Sequence, residues 1–173
     1  MKFIQALLVF CCFLTFGQTP DPLLVPPSEQ AAQMKWVDSV YASLDLKEKV
    51  AQLFMPMVFT ERDSAHFYQS LDLITKHKIG GIVFSLGGPV GESHWLNRFQ
   101  AASKTPLLVA MDAEWGVAMR LDSVQAFPWP MTLGAVKDTV LLRKIGKRMG
   151  EQEKRLGIHY SFSPVLDINT NPK

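Results

Sequence analysis

The chain has 173 residues, is 47% hydrophobic and carries a formal charge of +2. Without a basic run, that balance excludes electrostatic nucleic-acid binding as the obvious activity. The apolar content suffices for a packed core, and no repeat or low-complexity tract breaks it.

The first expected element is a processing signal. Met1 and Lys2 make a short basic start, and Phe3 to Phe16 is apolar except for Gln5 and Thr15. Thr15 and Gly17 supply the small residues that a signal peptidase needs, so residues 1–17 read as a secretory signal peptide. The run is shorter than the ~20 residues a bilayer span requires, and an uncleaved N-terminal anchor is the alternative. Cys11 and Cys12 lie inside this run. An exported chain cleaved after Gly17 would therefore hold together by its core and not by disulfides. The expected location is periplasmic or extracellular.

Residues 18–28, with Pro20, Pro22, Pro26 and Pro27, read as an extended linker. From Glu29 the pattern is helical, with Trp36, Val40, Tyr41 and Leu44 at helical spacing. Asp45 then opens a second short helix over Lys47 to Val50. Leu53 to Val58 is the first expected strand. Phe67, Leu71 and Ile74 mark a helix ending near Lys78, closed by Gly80 and Gly81. Gly81 to Ser85 is the second strand, followed by a loop at Gly87, Gly88 and Pro89. Trp95, Phe99 and Ala102 mark the next helix. Leu107 to Met111 is the third strand, and a long loop carrying Pro128, Trp129 and Pro130 follows it. A helix from about Asp138 to Leu156 and a strand from Tyr160 to Leu166 complete the order.

Helices and strands in strict alternation predict parallel strands with right-handed crossovers. The first units recur at ~30 residues, the pitch of a (β/α)8 TIM barrel of ~250 residues. The fold class expected is α/β, a partial (β/α)8 TIM barrel made of the first four or so βα units, over residues 29–173. A small open α/β sheet is the alternative architecture.

Parallel barrels and open sheets place ligands at the carboxyl ends of their strands. Asp112 ends the third strand, with Glu114, Trp115 and Arg120 in its loop, and Asp167 ends the fourth. An Asp at such a position also starts turns and caps helices, so the ligand reading and the capping reading both stand. The sequence has no Gly-x-Gly-x-x-Gly, P-loop or Gly-x-Ser-x-Gly, so dinucleotide, nucleotide and esterase chemistry lack their motifs. His66, His77, His94 and His159 show no paired metal spacing, and surface or helix-end positions suit them better. Neither a metal nor a cofactor is expected. The charges between Arg143 and Arg155 read as a solvated helix face. Trp36 and Trp95 read as core, and Trp129, between two prolines, as a candidate substrate contact. Carboxylates, an Arg fork and a tryptophan suit a sugar ring. Its hydroxyls donate to a carboxylate, the guanidinium donates to its oxygens, and the indole covers its apolar face.

Three segments carry a family resemblance. They are Lys78-Ile-Gly-Gly-Ile-Val-Phe84, Asp112-Ala-Glu-Trp-Gly-Val-Ala-Met-Arg120, and Leu156-Gly-Ile-His-Tyr-Ser-Phe-Ser-Pro-Val-Leu-Asp-Ile-Asn169. In order and spacing the chain, from about Trp36 onward, resembles the N-terminal domain of glycoside hydrolase family 3. It is most similar to the bacterial β-N-acetylglucosaminidase branch. The resemblance implies a TIM barrel and a retaining O-glycosyl hydrolase with a covalent glycosyl-enzyme intermediate. It implies an Asp nucleophile on a later strand and a His–Asp acid/base pair in an intermediate loop, both expected after Lys173. None of the present residues takes either catalytic role. Asp112 and Arg120 would bind the sugar being cleaved, with Glu114, Trp115 and Asp167 in supporting positions. The implied partners are a carbohydrate substrate, the remainder of the barrel and possible further domains, with no nucleic acid and no stable membrane span. Two residues depart from the motif: Trp115 replaces its first glycine, and Val117 stands where an arginine is common. Family members acting on β-glucosides or β-xylosides are the alternative, as is a carbohydrate-binding module without chemistry.

Overall fold

The structure is a computed structural model, and it describes residues 26–167. The expected signal peptide lies outside the described residues. Contacts divide the chain into two units, residues 1–43 and 44–173.

The first unit contributes one described helix, α1, Pro27–Ala42. It begins inside the expected linker because Pro27 occupies its first turn, where a missing N–H costs nothing and φ is already helical. Trp36, expected in a core, is 54% exposed on this helix.

The second unit opens with α2, Leu46–Ala51, started by a complete capping box. The Asp45 carboxylate accepts from the Glu48 N–H at 2.8 Å, and Glu48 accepts in return from the Asp45 N–H at 3.1 Å. The other Glu48 oxygen takes the Lys78 ammonium, tying α2 to the end of the following helix.

Four parallel strands form one sheet in the order β1-β2-β3-β4, as the alternation requires. They are β1, Met57–Val58; β2, Gly81–Phe84; β3, Leu108–Met111; and β4, Tyr160–Ser161. The crossovers contain α3, Ser64–His77; α4, Pro89–Ala102; and, between β3 and β4, the short α5, Pro130–Gly134, and α6, Thr139–Arg155. Val83 pairs with Met57 and Ala110, and Ala110 pairs with Tyr160, so these four residues share one level across the sheet.

The outer strands are shorter than expected. The apolar run at Leu53 is used as a turn: the Leu53 and Phe54 N–H groups bond back to Val50 and Ala51, and Pro56 has no N–H for a ladder. At the other edge, Phe162 donates to Met111 at 3.0 Å before Pro164 ends the pairing. Helix α3 also ends differently. Lys78, in the left-handed conformation at φ 56°, is its C-cap, two residues before the glycines. Gly80 instead permits close approach, since a Cβ there would lie 1.9 Å from the Gln52 carbonyl oxygen. Helix α5 falls in the stretch expected to be loop, with Pro130 at its first position.

The core lies between one sheet face and helices α3 and α4. Ile82, Phe84, Val109 and Met111 from the strands meet Phe67, Ile74, Leu96 and Phe99 from the helices. Alternate strand residues point oppositely, so Leu108 faces away from Val109 and remains exposed, with Met57 and Tyr160 also open to solvent. Phe67 and Phe99 stack at 5.0 Å, and Trp95 closes the edge of that stack. Burying such aromatic rings contributes on the order of 2–3 kcal/mol each.

Candidate functional site

Parallel strands bring every strand-end loop to the same edge of the sheet. Three of these loops are laced together by backbone hydrogen bonds. The Thr60 N–H, after β1, donates to the Leu86 carbonyl at 2.9 Å. The Gly87 N–H, after β2, donates to the Arg120 carbonyl at 3.3 Å, and Asp122 N–H returns a bond to the Gly87 carbonyl at 3.0 Å. The lacing requires glycine at position 87, where a Cβ would lie 1.8 Å from the Thr60 hydroxyl oxygen. These contacts frame an open cleft of about 330 Å³ lined by Glu61, Leu86, Gly87, Gly88, Arg120 and Asp122.

Asp112 leaves the end of β3 directly. Arg120 folds back onto it after the tight turn Val117–Met119. The Arg120 Nε–H donates to the Asp112 carbonyl at 3.0 Å, and Nη2 pairs with the Asp112 carboxylate oxygen Oδ2. The side chains are 21% and 34% exposed respectively, so the pair is partly withdrawn from water but open on one side. Asp112 Oδ1 and Arg120 Nη1 form no hydrogen bond among the described residues. One acceptor oxygen and one fixed N–H pair thus remain for a ligand that both donates and accepts.

Glu114 and Trp115 lie in a turn closed by the Gly116 N–H to the Ala113 carbonyl at 2.9 Å. Gly116 has φ 87°, and a Cβ there would meet the Phe127 ring at 2.8 Å. The Trp115 ring meets Trp129, from the far end of the same loop, with centroids 5.9 Å apart. Asp167 is exposed beyond β4.

Two of the histidines, the partly buried His66 and the exposed His159, accept backbone hydrogen bonds. His66 Nε2 accepts from the Phe59 N–H at 3.1 Å, and burial together with the nearby Arg62 cation pushes its pKa down. His159 Nδ1 accepts from the Val109 N–H at 3.1 Å, extending the β3–β4 pairing. His77 and His94 are exposed on their helices. Among the described residues, no group of three or more metal-ligating side chains gathers. No described helix is long and apolar enough to cross a membrane. On the outer side, a smaller cleft of about 190 Å³ is lined by Gln125 and α6 residues such as Arg148 and Arg155, not by strand ends.

The sequence reading passed over Glu92. It lies in α4, on the stripe continued by Leu96 and Phe99, and its side chain is fully buried. Neither carboxyl oxygen has a hydrogen-bond partner among the described residues, and burial pushes its pKa up to about 8. The spacing of four and seven residues to Leu96 and Phe99 was the available signal.

The sequence from residue 45 to residue 173 matches the family described as glycosyl hydrolase family 3 N terminal domain. A β-N-acetylglucosaminidase/β-glucosidase of Cellulomonas fimi is 25% identical over 136 residues, covering 79% of this chain and 23% of the relative. The β-hexosaminidase LpqI of Mycobacterium tuberculosis is 27% identical over 169 residues, covering 91% of this chain and 40% of the relative. Among solved structures, the β-glucoside phosphorylase BglX superposes with a TM-score of 0.73 at 23% identity, over 86% of this chain and 26% of that one. The chain spans less than half the length of these relatives.

Proposed function

The chain belongs to glycosyl hydrolase family 3, as part of that family's N-terminal domain, and on that premise we propose that the whole protein is a retaining β-N-acetylhexosaminidase. It would release terminal β-linked N-acetylglucosamine from cell-wall or glycan fragments. The observation that carries this reading is the Asp112–Arg120 pair at the carboxyl end of β3, with one acceptor and one donor left open. A terminal sugar presents hydroxyls to the first and oxygen acceptors to the second. The relatives named as hexosaminidases and as an N-acetylglucosaminidase support the choice of sugar.

In this reading the described residues bind and orient the substrate. The Arg120 guanidinium holds Asp112 by two contacts, one to its backbone carbonyl and one to its carboxylate, so little freedom remains to be lost when a sugar arrives. Retaining hydrolysis also needs a nucleophile and an acid/base flanking the scissile bond. The nucleophile would come from a later strand and the acid/base from an intermediate loop, and later strands would also cover Met57, Leu108 and Tyr160 on the open sheet face. Export by the N-terminal segment would place the enzyme where such glycans occur.

The test is turnover of p-nitrophenyl β-glycosides by the whole protein. Preference for the N-acetylglucosaminide over the glucoside and xyloside is expected. A higher kcat/KM on the glucoside or xyloside would move the protein to another specificity of the family, and binding without turnover would make it a carbohydrate-binding protein.

A further inference from the structure

Helix α6 is one-sided in charge. Arg143, Lys144, Lys147, Arg148, Lys154 and Arg155 fall on one side of its 3.6-residue period, and all six are exposed. They run along about 18 Å of helix. Leu142, Ile145 and Met149 take the opposite side and are partly buried, and a Cβ on Gly116 would lie 3.6 Å from the Met149 Cγ. Two of the nearby acids are committed elsewhere. Asp138 caps the helix by accepting from the Val140 and Leu141 N–H groups, and Glu153 accepts from the Ser161 hydroxyl at 2.9 Å. Of the acids in α6 only Glu151 lies on the stripe, where it pairs with Arg148 at 2.7 Å. Its hydrogen bond from Arg148, with Lys147 and Arg155 nearby, holds its carboxyl below the usual range. Arg143, Lys144, Lys147, Lys154 and Arg155 form no ion pair among the described residues.

We propose that this stripe is a docking surface for a carboxylate-bearing polysaccharide, separate from the strand-end cleft. Charge complementarity sets the sign of the partner. One carboxylate, Glu151, already sits among the cations, and those of a polymer would meet the unpaired ones. Toward the end of the helix, Arg148 and Arg155 line the cleft of about 190 Å³ together with Gln125 and Gln152, and the Gln152 Oε1 is buried without a hydrogen-bond partner. An amide acceptor beside guanidinium donors suits a unit that carries hydroxyls as well as an acid. Other polyanions fit less well. A lipid surface needs an open apolar face, and α6 turns Ile145 and Met149 inward. Single-stranded nucleic acid needs aromatic rings to stack its bases, and α6 has none. A protein partner needs an apolar centre, and α6 leaves only Val140 and Leu141 open, both in its first turn. The proposal stands whatever is cleaved at the end of β3, since none of these residues belongs to the Asp112–Arg120 pair.

The experiment measures binding of the whole protein to immobilised polygalacturonate at low salt, with neutral hydroxyethylcellulose, phosphatidylglycerol vesicles and duplex DNA as comparisons. Polygalacturonate should bind most tightly, the neutral polymer should not bind, and binding should fade as salt is raised. Lys144→Gln combined with Lys147→Gln should weaken binding about three- to tenfold. Lys35→Gln combined with Lys47→Gln removes the same charge from exposed positions off the stripe and should leave binding unchanged. Arg155→Gln, at the cleft, should weaken it as well. Equal weakening by the two double variants overturns the proposal, because it would mean that overall charge alone attracts the polymer. Absence of binding by the wild type also overturns it. Tighter binding to the vesicles or to duplex DNA overturns it in favour of a lipid or nucleic-acid partner.

Discussion

Glu92 makes the stability of this domain depend on pH in a direction opposite to most carboxylates. Its side chain is fully buried on α4, and burial alone raises its pKa to about 8. In the unfolded chain it titrates near 4.5. The folded form therefore binds the proton more tightly than the unfolded form between those values. Stability from this group is fully present below pH 4.5 and is lost as pH rises toward 8. At ~1.4 kcal/mol per pH unit, the gap amounts to roughly 5 kcal/mol once both states are ionised. The perturbation is Glu92→Gln, which keeps the shape and removes the titration. Thermal melting of both proteins at pH 5, 7 and 8.5 is the assay. The wild type should lose several degrees more than the variant between pH 5 and 8.5, with the gap widening as pH rises. Parallel curves would refute the reasoning, because they would mean that the carboxyl reaches water or a cation in the folded state.

Three other outcomes follow from the geometry. Gly80→Ala should destabilise the domain by about 2 kcal/mol or more, read from denaturant melting, because its Cβ would enter the Gln52 carbonyl. Arg120→Ala should lower kcat/KM of the whole protein about tenfold or more, by freeing Asp112 to rotate and removing the open N–H donors. N-terminal sequencing of the exported protein should start at Gln18, and retention of Met1 or a lipid on a cysteine would contradict cleavage after Gly17.

The parallel sheet was legible because its inner strands are short unbroken apolar runs between glycines and prolines, as at Gly81–Phe84. The outer strands were overextended because apolarity alone does not separate a strand from a turn. At Leu53 the backbone is committed to the end of α2, and at Pro164 the ladder lacks a donor. The position of Asp112 at the end of β3 was legible from the buried run before it. Its pairing with Arg120 was not, since eight residues of loop separate them and only the Val117–Met119 turn brings the guanidinium back. Glu92 was missed because a carboxylate on a helix is read as solvated, while its spacing to Leu96 and Phe99 put it on the buried stripe. Trp36 shows the reverse error: helical spacing of apolar residues marks a stripe but does not show that it is covered.

The central claim, that the end of β3 holds the sugar to be cleaved, is tested most directly by kcat/KM of the whole protein with and without the Asp112 carboxylate. Asp112→Ala should cost ~1–3 kcal/mol of transition-state stabilisation, about 5- to 150-fold in kcat/KM on an N-acetyl-β-glucosaminide. The Tm should shift too little to account for that loss. Unchanged kcat/KM in Asp112→Ala, in a protein that turns over the wild-type substrate, would contradict the account and place the sugar elsewhere in the fold.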